Sequence, residues 1–132
     1  MRILIVDDSS TMRRIVNNSL ADIGYGYAEI LEAGDGQDAL RLIQEEVFDI
    51  VFLDWNMPNL NGLELVTLVR KEPRFAKLPL IMFTSVFAKH NILQAAKAGV
   101  DEYLIKPFSE EKLSEVMMHL ESKKLLSTLC KD

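Results

Sequence analysis

Ile3-Leu4-Ile5-Val6-Asp7-Asp8 opens the chain, and two later stretches repeat its form: Ile50-Val51-Phe52-Leu53-Asp54 and Tyr103-Leu104-Ile105-Lys106-Pro107. Each is a short run of apolar, largely branched residues that ends in a chemically demanding side chain. Runs of this length and branching read as strands buried on both faces, as in a parallel sheet. In open parallel sheets ligands bind outside the carboxyl ends of the strands, where Asp7, Asp8, Asp54 and Lys106 fall. Three carboxylates and a lysine gathered on one sheet edge suit a divalent cation and a phosphoryl group.

The segments between these runs carry helical spacing. After Asp8, Ser9-Ser10 offers an N-cap, and Met12, Ile15, Val16, Leu20 and Ile23 recur at helical intervals until Gly24. Glu29-Ile30-Leu31 is a weak second strand, and Asp35 caps a helix whose inner face is Ala39, Leu40 and Ile43. Past Asp54 comes Met57-Pro58-Asn59-Leu60-Asn61-Gly62, a loop of turn formers, before a helix with Leu63, Val66 and Val69 facing inward. Pro79 opens a fourth strand, Leu80 to Phe83, which delivers Thr84-Ser85 to the same sheet edge. An alanine-rich helix from Lys89 to Ala98 stops at Gly99, and Ser109 starts a last helix carrying Leu113, Val116, Met117 and Leu120. Strand and helix thus alternate five times, which predicts a doubly wound α/β sandwich with right-handed crossovers covering both faces. Residues 1–121 form this domain, and 122–132 are a C-terminal tail or an extension of the last helix.

At 132 residues the chain is the size of one ordinary domain, long enough to bury about 70% of its unfolded surface. With 48% hydrophobic and 27% charged residues the composition is that of a water-soluble globular protein. A net charge of −5 and scattered basic pairs (Arg13-Arg14, Arg70-Lys71, Lys123-Lys124) argue against a grip on nucleic acid, which needs clustered cations. The single cysteine, Cys130, cannot form an intrachain disulfide and reads as a bystander thiol. No apolar stretch approaches the roughly 20 residues of a membrane span, and Met1-Arg2 leads at once into a strand, so no signal peptide is expected. The expected location is the cytoplasm.

Electrostatics assigns roles on the shared edge. Two unit charges 4 Å apart repel by about 1 to 4 kcal/mol depending on the local dielectric. Three converging carboxylates therefore need a proton or a cation between them. Hard oxygen ligands that leave room for water suit Mg²⁺, commonly held by one or two carboxylates and a substrate phosphate. Lys106 adds positive charge and Thr84 a hydroxyl donor, both matched to the equatorial oxygens of a phosphoryl group in transfer. Asp54 stands alone at its strand end and is the best acceptor, whereas Asp7-Asp8 act better as a pair of metal holders. Singly, each has a plain structural reading: an acidic helix cap, a turn residue, a solvated lysine. Their joint placement at strand ends favours the functional one.

At this point the chain resembles the receiver domains of two-component response regulators, and within them the stand-alone chemotaxis regulators. The matching stretches are Asp7-Asp8-Ser9-Ser10-Thr11-Met12-Arg13-Arg14-Ile15-Val16, Asp54-Trp55-Asn56-Met57-Pro58, Asn61-Gly62-Leu63-Glu64-Leu65, Thr84-Ser85 and Lys106-Pro107-Phe108. The resemblance spans residues 2 to 121. It implies a flavodoxin-like five-stranded parallel sheet of order 2-1-3-4-5 with five helices, and a cis Lys106–Pro107 bond. It also implies that Asp54 accepts a phosphoryl group from a CheA-like histidine kinase. Asp8, Asp54 and the Asn56 backbone carbonyl would ligate Mg²⁺, with Asp7 acting through water. Thr84 and Lys106 would contact the phosphoryl group, and small Ser85 would leave access to it. Tyr103 matches the aromatic switch, turning inward as Thr84 moves. A monomer with no encoded output domain would act through a protein partner, a flagellar motor switch protein, with Lys89, Tyr103 and Lys112 as contacts.

Two positions depart from the family pattern. Asn61 stands where many receivers carry aspartate, a change confined to the loop. Val86 is apolar where the nearest relatives carry glutamate, and this position, like that of Asn56, influences attack by hydrolytic water. Trp55 reads as packing beside the site, and His90 and His119 as surface histidines. Other functions make different demands on the same positions. A haloacid-dehalogenase-type phosphohydrolase needs a second aspartate two residues after the nucleophile, where this chain has Asn56. A flavin carrier needs a Ser/Thr/Gly-rich phosphate loop where Asp7-Asp8 would repel phosphate. A receiver serving as a phosphate sink, or in signalling other than chemotaxis, has the same site residues.

Overall fold

The computed structural model describes residues 1–130, and side chains through Lys123. The reading of the Cys130 thiol lies outside the described side chains. The strands are β1 (Arg2–Val6), β2 (Glu29–Ala33), β3 (Ile50–Leu53), β4 (Leu80–Thr84) and β5 (Glu102–Ile105). The helices are α1 (Ser10–Leu20), α2 (Gly36–Glu45), α3 (Gly62–Lys71), α4 (Lys89–Ala98) and α5 (Glu110–Cys130). All strand pairs are parallel and the sheet order is β2-β1-β3-β4-β5, as the resemblance implied.

Alternation along the strands divides the core in two. Leu4, Val6, Val51, Leu53, Leu80 and Met82 pack on one face against Ala39 and Ile43 of α2, Leu65, Val66 and Val69 of α3, and Ala95 of α4. Ile3, Ile5, Ile50, Phe52, Ile81, Phe83 and Leu104 pack on the other against Val16 and Leu20 of α1 and Leu113, Val116, Met117 and Leu120 of α5. Both faces of the central strands are therefore dry, which is why β1, β3 and β4 read as continuous apolar runs. Full burial of each such side chain contributes about 1.5–3 kcal/mol. Among the described residues, no helix is long and apolar enough to cross a membrane.

Most caps fall where the residue types predict. Ser9 Oγ accepts from the Met12 N–H at 3.2 Å, and Asp35 Oδ1 accepts from the Asp38 N–H at 2.8 Å. Ser109 Oγ accepts from Lys112 N–H at 3.1 Å at the start of α5, and Gly99 ends α4 in the left-handed region at φ 117°. Asn61 forms a complete capping box with Glu64.

Two local readings change. The inner face of α3 is Leu65, Val66 and Val69 rather than Leu63, Val66 and Val69. Gly62 forms the first turn with its Cα against the Asp54 carbonyl, and this sets the helix phase so that positions three, four and seven later face the core. Ile15 is exposed, because α1 buries the line through Val16 and Leu20. The helix runs on from Leu20 through a π-helical turn, Ala21–Tyr25, inside which Gly24 breaks it at φ 109°, the stop that its residue type predicts.

Candidate functional site

Four strand ends meet at the carboxyl edge of the sheet. Asp7 follows β1, Asp54 follows β3, Thr84 closes β4 and Lys106 follows β5. The ladder continues into these residues: the Asp7 N–H donates to the Ala33 carbonyl, that of Asp54 to Val6, and that of Lys106 to Thr84, at 3.1, 3.0 and 2.9 Å. The functional side chains thus stand on backbone held by the sheet, not on free loop.

Lys106 Nζ lies 2.8 Å from Asp7 Oδ2 and 3.0 Å from Asp54 Oδ2. The remaining oxygens of these two carboxylates accept backbone N–H groups, Asp7 Oδ1 from Ser9 at 2.9 Å and Asp54 Oδ1 from Trp55 at 2.7 Å. Asp7 is 1% exposed and Asp54 8%, so both carboxylates need this compensation. Burial alone lowers the Lys106 pKa, but hydrogen bonds and charge from Asp7 and Asp54 outweigh it and hold the ammonium above the usual lysine value. Its Nζ also sits 4.8 Å from the centre of the Phe83 ring, a second favourable contact for a cation.

Asp8 completes the cluster. One carboxylate oxygen from each of Asp7, Asp8 and Asp54 lies within 4.8 Å of the others, and Asp8 opens the group to solvent. The donor set fits a small hard cation: all oxygen, anionic in excess of the single lysine, buried on one side and accessible on the other. Asn56 lies exposed just beyond Asp54, where Trp55 packs half-buried against the α2–α4 face.

Thr84 is fully buried, and its Oγ1 accepts from the Val86 N–H at 3.3 Å. Tyr103 packs half-buried against the same face as Trp55, and its hydroxyl donates to the Val86 carbonyl at 2.6 Å. Burial, then the Asp54 charge, raises the Tyr103 pKa, so the hydroxyl stays a donor. The Lys106–Pro107 bond is cis.

The structure therefore brings Asp7, Asp8, Asp54 and Lys106 into contact range, with Thr84 on the adjoining strand end and Tyr103 tied to the loop behind it. Lys89 and Lys112 are exposed near the starts of α4 and α5, away from the cluster. His119, read as a surface histidine, has its Nδ1 2.9 Å from Glu102 Oε1. Two features went unpredicted. The Arg13 guanidinium donates to the Asp7 carbonyl oxygen and, through Nε, to Glu32 Oε1 at 2.7 Å, bracing the β1–α1 loop from beneath. Its position one turn into α1 was the only available signal. The other is a contact between Asp35 Oδ2 and Asn59 Nδ2 at 3.1 Å. A cleft of about 960 Å³ opens on the opposite edge, with Val47, Phe48, Phe75 and Leu78 among its lining, far from this chemistry.

A parallel five-stranded α/β sandwich with an acidic cluster and a lysine at its carboxyl edge is the arrangement of a receiver domain, and the family comparison agrees. The response regulator receiver domain model matches residues 3–118, and the chain belongs to that family. Within it the chain is CheY-like. It is 44% identical over 116 residues to the chemotaxis protein CheY1 of Helicobacter pylori, covering 87% of this chain and 92% of that one. It is 45% identical over 116 residues to a chemotaxis protein CheY homolog of Campylobacter jejuni, covering 87% and 88%. Among solved structures, chemotaxis response regulator CheY4 of Vibrio cholerae superposes with a TM-score of 0.80 at 33% identity, over 90% of this chain and 97% of that one. A response regulator receiver domain protein from Clostridium thermocellum gives 0.81 at 30% identity, over 95% and 98%. The chain is thus a signalling receiver of the two-component type.

Proposed function

We propose that Asp54 accepts a phosphoryl group from the phosphohistidine of a histidine kinase, and that the resulting charge switches a protein-binding surface. The observation that carries this reading is Lys106 Nζ held between Asp7 and Asp54, 2.8 and 3.0 Å away, on residues from three separate strand ends. A carboxylate oxygen of Asp54 attacks phosphorus, the P–N bond to the kinase histidine breaks, and the electron pair leaves with the imidazole. Lys106 then turns from the carboxylate to a phosphoryl oxygen, and the Thr84 hydroxyl offers a second donor. Asp8, Asp54 and the Asn56 carbonyl would hold Mg²⁺ directly, with Asp7 acting through water. When bound, the ion supplies positive charge against the phosphoryl oxygens.

Movement of the Thr84 hydroxyl toward the phosphoryl group would give up its contact with the Val86 N–H. Tyr103 is bonded to the same residue, so β4, its loop and β5 respond together. The surface they share with α4 and α5 includes exposed Lys89, Lys112, Phe87, Leu93 and Ile105. The similarity to chemotaxis proteins supports a flagellar motor switch protein as the partner and a CheA-like kinase as the donor. The protein would act as a cytoplasmic monomer, with residues 1–121 as the receiver and 122–132 as its C-terminal extension.

Incubation with acetyl phosphate and Mg²⁺ followed by intact mass tests the chemistry. The expected result is one added phosphoryl group in the native chain and none in Asp54→Asn. Equal labelling of that variant would overturn the assignment of the acceptor.

A further inference from the structure

The loop from Asp54 to Asn61 carries the Asn56 carbonyl and passes beside the acceptor. Its far end rests on the turn between β2 and α2. The Asp35 carboxylate uses both oxygens there: Oδ1 caps α2 through the Asp38 N–H at 2.8 Å, and Oδ2 accepts from Asn59 Nδ2 at 3.1 Å. Beside it, Gly36 meets Leu60 backbone to backbone, so closely that a Cβ at Gly36 would lie 2.1 Å from the Leu60 carbonyl oxygen. Asn59 holds φ at 69°, in the left-handed region that asparagine tolerates better than most residues. The loop is then closed by hydrogen bonds from Leu60 N–H to the Pro58 carbonyl and from Gly62 N–H to the Trp55 carbonyl, both 2.7 Å.

We propose that Asp35 and Asn59 form a clamp across these two loops, acting as positioning residues that hold the Asn56 carbonyl beside the acidic cluster. The inference rests on the reading of Asp54 as a metal-dependent acceptor. Ordering a loop costs conformational entropy at every residue. If the loop were free, a cation would bind only the fraction of molecules already in the competent arrangement, and its apparent affinity would fall by that fraction. Because the clamp orders the loop before any ligand arrives, its effect appears in affinity as well as in rate. Neither Asp35 nor Asn59 belongs to the acidic cluster itself.

The test uses the full chain with two readouts: amide hydrogen exchange at Gly62 without metal, and Mg²⁺ affinity from Trp55 fluorescence. Asp35→Ser keeps an N-cap acceptor but lacks the second oxygen, and Asn59→Gly keeps the left-handed backbone but lacks the donor. Each is expected to speed exchange and weaken Mg²⁺ binding by about threefold to tenfold, the scale of one lost hydrogen bond. The double variant D35N/N59D exchanges donor and acceptor at unchanged net charge, and is expected to restore both readouts to within about twofold of the native chain. The clamp is overturned if either single variant matches the native chain in both readouts, or if the exchanged pair stays as impaired as the singles. A native chain that shows no Mg²⁺ response, or an Asp54→Asn variant that labels as well as the native chain, overturns the acceptor reading instead, and the exchange result still judges the clamp.

Discussion

Tyr103 and Val86 are joined side chain to backbone, the phenol donating to the carbonyl at 2.6 Å, while the N–H of the same valine is bonded to Thr84 Oγ1 at 3.3 Å. One residue thus has its two backbone groups committed in opposite directions, toward the site and toward the outer strand. Whatever displaces the threonine hydroxyl has only one residue to cross before it reaches the tyrosine. The valine side chain takes no part in either bond, so its identity and the coupling are separable.

Tyr103→Phe removes the phenol and leaves the ring to pack. The expected cost is about 0.5–1.5 kcal/mol in urea unfolding, the scale of one hydrogen bond. Labelling at Asp54 should persist, and the change should appear in the affinity difference between phosphorylated and unphosphorylated protein for its partner.

Val86→Glu leaves the backbone bonds untouched and puts a carboxylate two residues past Thr84. It is expected to shorten the lifetime of the phosphorylated state severalfold by orienting attacking water. Decay followed by mass after removal of the phosphodonor checks this, and an unchanged rate would refute a role for Val86 in that lifetime.

Lys106→Met leaves two buried carboxylates facing each other without their ammonium. Removing one partner of a buried ion pair typically costs about 3–5 kcal/mol, so a large drop in urea midpoint is expected in chelator. Mg²⁺ should recover part of it, because a ligand bound only by the folded state stabilises that state.

Gly62→Ala would set a Cβ 2.2 Å from the Asp54 carbonyl oxygen, a clash with backbone that no rotamer relieves. The expected loss is about 1–3 kcal/mol, read from thermal or urea unfolding.

Tyr25 donates to Glu121 Oε1 at 2.6 Å, tying the π-helical turn to α5. Burial, then the Glu121 hydrogen bond and charge, raises the Tyr25 pKa. A group whose pKa is raised on folding stabilises fully below its unfolded value, about 10 for tyrosine, and loses that contribution as pH rises through the folded value. Tyr25→Phe should therefore cost the same at pH 6 and pH 9, and less than about 1 kcal/mol because the pair is exposed.

The central strands were legible because dryness on both faces leaves a continuous apolar run, and because the residue after each run must sit at the sheet edge. β2, flanked on one side only and carrying exposed Glu29 and Glu32, gave a weaker signal for the same reason. Helix faces were read less well where a tight backbone approach, not side-chain spacing, sets the phase, as Gly62 does for Leu65. In the site, Asp7, Asp8, Asp54 and Lys106 could be found from position and charge. Arg13 beneath Asp7, Asp35 against Asn59 and Tyr103 on the Val86 carbonyl could not. Those contacts join loops or reach backbone atoms, and no periodicity or residue identity encodes them.

Lys106 and Asp7 stand 99 positions apart along the chain. Their contact requires the first strand and the last to sit correctly in one sheet, with β3 and β4 between them. No fragment, nascent chain or half-folded intermediate can assemble it. If Asp54 is the acceptor proposed above, its site is also a certificate of completed folding, and a donor that depends on it would spend no phosphate on molecules unable to relay the message.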